Sequence, residues 1–234
     1  MDLGQGVWNR AAAGRIVAFE DGGDFIYTAG DATAAYQQPS LGGADEELCA
    51  VNEGVVRAIR HIVFVHPGVF VILDDIETKE PASIQFLLHA LNAFQLDEGQ
   101  RIVTIANGMA AARIHLLGSD PMAITQTDQF SVPPEPVVFN DECRGQANQW
   151  HLTCDFAATS SVRRLLTVVQ IHRTEEVGEL LEVEPVEEPR TIGARIGGTS
   201  VKFLLSPAAV KVTCHTPRID GTVARYVASG PPTA

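Results

Sequence analysis

"RHIVFVHPGVFVILDDIETKEPASIQFLLHALN", residues 60–92, decides the fold class. Two apolar runs meet at His66-Pro67-Gly68-Val69, and the second closes on Asp74 and Asp75. Proline presets φ at the first central position and glycine supplies positive φ at the second, so these four residues predict a type II turn between antiparallel strands. VFVIL, residues 69–73, is apolar on both faces. Such a strand needs cover on either side, which predicts an inner position between two layers. SIQFLLHALN, residues 83–92, has a composition a short helix would tolerate, but its place between strands favours β.

The same two-residue alternation extends outward. RIVAFE and DFIYTAG flank Asp21-Gly22-Gly23-Asp24 and predict a hairpin. RIVTIA and MAAARIHLL flank Asn107-Gly108, a second hairpin signal. AITQTDQF, QWHLTCDF, VRRLLTVVQIHR, TIGARIG, SVKFLLS, VKVTCHT and TVARYVA follow as further short runs. About fourteen strands joined by Gly, Pro, Asn or Asp turns predict an all-β, two-layer antiparallel β-sandwich with little helix. Residues 37–54 and 131–149 are read as long loops, and no internal repeat is evident.

Composition excludes several partner classes. The net charge is −12, from 17 Lys plus Arg against 29 Asp plus Glu. Phosphate contacts need clustered cations, so neither nucleic acid nor an anionic membrane is an expected partner. Much of the excess lies in residues 174–189, TEEVGELLEVEPVEEP, which read as a solvated acidic strand or linker. No apolar run approaches the roughly 20 residues of a membrane helix, and the first residues lack the features of a signal peptide. Cys49, Cys143, Cys154 and Cys214 form no CxxC pair, so they read as mostly buried thiols. A Cys143–Cys154 bridge would require two strands to bring them together.

Chemical motifs are sparse. The chain has no GxSxG elbow, P-loop, HExxH or EF-hand loop. Its seven histidines, at 61, 66, 89, 115, 151, 172 and 215, include no i, i+4 pair. His61, His115 and His172 sit inside alternating strands and are expected to be hydrogen-bonded structural groups, whereas His66 abuts a turn and is expected to be exposed. Asp74 and Asp75 are neighbours in a strand and so point to opposite faces, which makes them a poor acid/base pair. No cofactor or metal is expected.

Four segments in their order carry a wider pattern: AAAGRIVAFEDGGDFIYTAGDATAAY (11–36), RAIRHIVFVHPGVFVILDDIETKEPASIQFLLHALN (57–92), NGMAAARIHLLGSDPMAITQTDQF (107–130) and NQWHLTCDF (148–156). Together they resemble the C-terminal β-sandwich (supersandwich-like) of the heparinase II/III-like polysaccharide lyases. The resemblance divides the chain into 1–175, the sandwich proper, and 176–234, strands that complete or extend it. It implies a β-elimination family, commonly periplasmic or secreted. There a charged group neutralises a uronate, a Tyr or His removes the C5 proton and an acid assists the leaving oxygen. The family's tyrosine and asparagine come from an α/α toroid, with further groups from a histidine-rich stretch and an HNT-like stretch. Nothing in this sequence matches those segments, so no family catalytic residue carries over.

The expectation is therefore a non-catalytic sandwich module that supports a toroid or lines a sugar cleft, with an acidic oligosaccharide as the implied partner and self-association through an open sheet edge. One rival is a small lyase rebuilt from His89, Tyr36 and Arg60. Another is a stand-alone carbohydrate-binding module, for which an aromatic content of 6% is thin. Tyr27 and Tyr36 are each expected to cap core or pack at a strand end. For His89, the expectation is a neutral imidazole tying two strands together, with a place in a groove as the alternative.

Overall fold

The structure is a computed structural model; it describes residues 14–37, 54–97, 99, 101–118, 120–129, 148–175, 180–206, 209–218 and 223–231, of which 223–229 as backbone. The long loops foreseen at 37–54 and 131–149 fall almost wholly outside the described residues, as do Cys49 and Cys143.

Three antiparallel sheets account for nearly all of it. The largest has eight strands in the order β1-β2-β3-β4-β11-β8-β7-β6. These are β1 (Arg15–Asp21), β2 (Phe25–Asp31), β3 (Val55–Val65), β4 (Val69–Ala82), β6 (Gln95–Asp97), β7 (Ile102–Asn107), β8 (Ala110–Leu117) and β11 (Ser160–Arg173). A three-stranded sheet orders β5 (Gln85–Ala90), β10 (Trp150–Phe156) and β9 (Met122–Thr127). A five-stranded meander runs β12 (Val183–Glu188), β13 (Thr191–Ile196), β14 (Thr199–Leu204), β15 (Val210–Pro217) and β16 (Val223–Gly230). The one helix among the described residues is α1, Thr33–Gln37.

Strand alternation builds two cores on opposite faces of the eight-stranded sheet. One face sends Phe25, Tyr27, Val63, Val71, Leu73, Leu166 and Val168 against Ala194, Val201, Phe203 and Val212 of the meander. The other sends Val103, Ile114, Leu116 and Leu165 against Leu152, Cys154 and Phe156 of the three-stranded sheet. Leu165 and Leu166 are consecutive in β11 and enter different cores, the period-2 rule in a strand covered on both sides. The VFVIL run sends Val71 and Leu73 into the first core, whereas Phe70 and Ile72 on its other face are half-buried and belong to neither core, so the two-sided cover its composition predicts is met on one side. Truncating a fully buried ring such as Phe203 would cost about 3–5 kcal/mol.

Local chemistry explains the turns, with two corrections. Between β1 and β2, Gly23 adopts φ 81° and its N–H donates to Asp21 Oδ1 at 2.9 Å. The β3–β4 turn is not type II: the His66–Pro67 bond is cis, and Gly68 is not at positive φ. Glycine is needed there for space, because a Cβ would come within 2.9 Å of the Ile171 carbonyl oxygen. That close approach lets Ile171 N–H donate to Gly68 O at 2.8 Å. In the β7–β8 hairpin Asn107 pairs with Ala110, so the turn residues are Gly108 and Met109, with Gly108 at φ 60°. The hairpin forms where expected, but its turn sits one residue later than the Asn-Gly signal indicates.

Two strands escape the periodicity. β6 is three residues long, too short to show alternation. β12 lies within the acidic stretch, where glutamates and a proline mask its pairing with β13.

Candidate functional site

A cleft of about 520 Å³ opens where the eight-stranded sheet meets the start of β5. It is built by backbone register. Counted back from the β3–β4 turn, Arg60 falls opposite Asp74 and Ile59 opposite Asp75. The pairing with β11 sets Leu165 opposite Asp74 and Arg164 opposite Asp75. Asp74 therefore faces the cleft, while Asp75 points through the sheet to the other side.

On the cleft side, Arg60 binds Asp74 through two hydrogen bonds, Nε to Oδ1 at 2.6 Å and an Nη to Oδ2 at 3.1 Å. The guanidinium also lies 6.0 Å from the centre of the Phe86 ring. The Asp74 hydrogen bond outweighs burial and raises the Arg60 pKa, and Tyr36 adds to the effect. Arg163, buried on the same side, pairs with Asp120, donates to the Ala158 carbonyl at 2.8 Å and stacks over Phe156 at 4.3 Å. At the mouth Arg15 reaches Asp31 at 3.2 Å. Burial works against the Asp31 carboxylate, but hydrogen bonds from Thr33 and Arg15 outweigh it and lower its pKa.

Tyr36 enters from α1. Thr33 N–H donates to Asp31 Oδ1 at 2.9 Å, which caps the short helix. Ala58 N–H of β3 donates to Thr33 Oγ1 at 3.0 Å, and the Gln37 amide donates to Val55 O at 2.7 Å. These bonds pin a five-residue helix that could not persist alone. They hold Tyr36 over the same cleft as Arg60.

Of the three residues of the small-lyase expectation, the structure brings two together. Tyr36 and Arg60 line the cleft; His89 does not, and no histidine among the described residues does. His89 is exposed on the outer face of the three-stranded sheet, its ring edge-on to His151 with centroids 4.4 Å apart. It is not the buried strand-tying imidazole expected from its apolar neighbours. Leu87 and Leu91, which share its face, are 51% and 61% exposed. Apolar neighbours in sequence were a misleading guide because this face is the uncovered one.

The other expectations divide by burial. His61 is fully buried and hydrogen-bonded to Tyr27, which is itself core. His115 is buried, and its pKa is pushed down to about 4, first by burial and then by Arg113. His172 Nδ1 lies 3.1 Å from the Arg173 carbonyl, and His66 is exposed as expected. Cys154 and Cys214 are free, buried thiols, each with its pKa raised chiefly by burial, so Cys154 forms no bridge. Asp31, Phe86, Phe156 and Arg163 escaped sequence reading as cleft residues. The Arg60–Asp74 pairing was legible in principle by counting back from the hairpin turn.

The arrangement provides planar guanidinium groups held rigid by carboxylates and backed by aromatic rings, with a phenol opposite. Convergent polar groups on an apolar floor suit a small polar ligand. Each of the three cleft arginines is already answered by a carboxylate of the chain.

No protein-family model and no curated protein matches the sequence. The fold, in contrast, has clear counterparts among crystal structures. The heparan sulfate lyase HepC from Pedobacter heparinus is similar at a TM-score of 0.50 and 8% identity, over 92% of this chain and 27% of that one. A heparinase III is similar at a TM-score of 0.53 and 11% identity, over 93% of this chain and 27% of its own length. The heparinase III BT4657 gene product gives a TM-score of 0.53 at 6% identity. The chain thus spans a little over a quarter of the lyases it matches, and at these identities the likeness is one of fold.

Proposed function

We propose that this chain is a non-catalytic β-sandwich module of heparinase-like architecture, whose cleft forms one wall of an oligosaccharide site. The observation that carries the reading is the cleft itself. Arg60 stands beside Tyr36 and Phe86 in a fold similar to part of the heparinase III-type lyases, yet its charge is neutralised by Asp74. A uronate would meet an arginine whose charge, and two of whose five N–H donors, already answer Asp74. Elimination also needs a base and an acid placed about a sugar carbon. Tyr36 is a cleft group suited to the first role, and among the described residues no histidine lines the cleft to serve the second. Binding without turnover fits these facts best.

A second reading, a compact uronate lyase with Tyr36 as base, is favoured by one fact: Tyr36 and Arg60 share the cleft. One experiment separates the two. Oligosaccharides from heparan sulfate and alginate are titrated calorimetrically, while ultraviolet absorbance follows unsaturated uronate product. The module reading expects binding that is lost in Arg60→Ala, with no product. Product that vanishes in Tyr36→Phe establishes the second reading, and absence of binding to every oligosaccharide overturns the first.

A further inference from the structure

The outer face of the three-stranded sheet borders the cleft at Leu87 and carries, beyond it, chemistry that the proposed function does not use. β10 is central, and its outward residues are His151, Thr153 and Asp155, because Leu152, Cys154 and Phe156 enter the core. In the register, His151 sits directly opposite His89 of β5 on one side and Thr127 of β9 on the other. Directly opposed residues in an antiparallel pair hold their Cβ atoms about 4.5–5.5 Å apart. Here the two imidazole rings lie 4.4 Å apart between centroids, at 63° to each other.

We propose that His89 and His151 form a binding site for a borderline divalent transition cation of the Zn²⁺, Ni²⁺ or Cu²⁺ class. Neutral imidazole nitrogen is the preferred ligand of these ions, whereas Ca²⁺ and Mg²⁺ take oxygen. Two rings at this separation can each turn one nitrogen toward a shared ion, because ligand bonds of about 2.0–2.1 Å bring the donor nitrogens within a few ångströms of one another. His89 is exposed, so its ring is free to swing from its edge-on contact into a chelating pose.

No group of three or more His, Cys, Asp or Glu side chains among the described residues is arranged for a metal. The pair therefore supplies two ligands and leaves the remaining positions to water or to a donor on a bound molecule. An open two-histidine site is suited to exchangeable binding rather than to a closed structural role. The site is independent of the saccharide cleft: Leu87 lines the cleft, but neither histidine does.

The test uses the full chain, stripped of metal and free of tags that bind it. Cu²⁺, Zn²⁺ and Ca²⁺ are titrated separately by calorimetry, and the Cu²⁺ complex is examined by electron paramagnetic resonance. One equivalent of Cu²⁺ and of Zn²⁺ is expected to bind, with two nitrogen ligands in the spectrum and no Ca²⁺ heat. His89→Ala and His151→Ala should each weaken binding at least about tenfold, while His172→Ala should leave it unchanged. His89 is exposed, so its variant should retain the wild-type circular dichroism spectrum and fold normally. Unchanged Cu²⁺ affinity in folded His89→Ala would overturn the proposal, as would a spectrum with one nitrogen ligand.

Discussion

The Tyr27 hydroxyl and His61 Nδ1 share a hydrogen bond of 2.9 Å, with both side chains fully buried where β2 and β3 lie side by side. Phe203 of the meander closes over the pair, its ring 6.0 Å from the imidazole. The bond answers one polar atom of each residue beside a largely apolar core.

Acid should weaken the fold through buried histidine. Burial lowers the His61 pKa to about 4, with Asp75 opposing and Arg57 assisting, and His115 is likewise lowered to about 4. Both are neutral in the folded chain, whereas an unfolded histidine takes up a proton near pH 6.5. The unfolded state therefore binds more protons in this window. The stability is fully present above about pH 6.5 and is lost as pH falls toward about 4, on the order of 2 kcal/mol per histidine. Melting temperature should fall across that range in the native chain and fall less steeply in Tyr27→Phe/His61→Leu, which removes both partners together. Parallel slopes would refute the assignment.

Gly230, at the end of β16, abuts the same pair. A Cβ there would come within 1.9 Å of the Tyr27 hydroxyl oxygen and 3.3 Å of His61 Cε1. Gly230→Ala is expected to cost about 1–3 kcal/mol by overpacking. Adding Tyr27→Phe removes the nearest atom and should recover part of that loss. Urea midpoints for the two single variants and the double variant give the coupling, and strict additivity would count against direct contact.

The neighbours Asp74 and Asp75 should differ sharply. Asp75 is 1% exposed and accepts hydrogen bonds from Arg57 at 2.7 Å and 3.2 Å and from Arg164 at 2.9 Å. Asp75→Ala would leave a buried guanidinium without its main partner, a loss of about 3–5 kcal/mol. Asp74 pairs with Arg60, whose side chain is 52% exposed, so Asp74→Ala should cost no more than about 1 kcal/mol. Equal urea midpoints for the two variants would contradict the difference in exposure between their partners, Arg57 at 7% and Arg60 at 52%.

Self-association is expected through β1, the terminal strand of the eight-stranded sheet among the described residues. Ile16 and Phe19 on it are 74% and 66% exposed, and unpaired strand edges recruit other strands. Light scattering should show mass rising with concentration, and Ile16→Lys/Phe19→Glu should suppress the rise. A single monomeric mass for the native chain over the micromolar range would defeat this prediction.

The sequence by itself determined the strands and hence the sheet-rich class. Alternation in β2, β3 and β8 and the double-faced VFVIL run are local properties, set by the two-residue repeat of extended backbone. Hairpin positions were equally local, because Gly, Pro and Asn restrict only their own dihedrals. Turn type was less so: Gly68 serves a close approach to Ile171, a strand about a hundred positions later. Which face is covered was decided by tertiary structure alone. Alternation tells two faces apart without saying which one meets another layer, so His61 and His89, each with apolar residues two positions away on either side, end buried and exposed respectively. The meeting of Tyr36 with Arg60, and of His89 with His151, likewise depended on sheet order. β5 and β10 are separated by some sixty residues of chain yet lie side by side. Pairing at that distance is selected by the fit of whole layers, a global free energy that no short stretch of sequence contains.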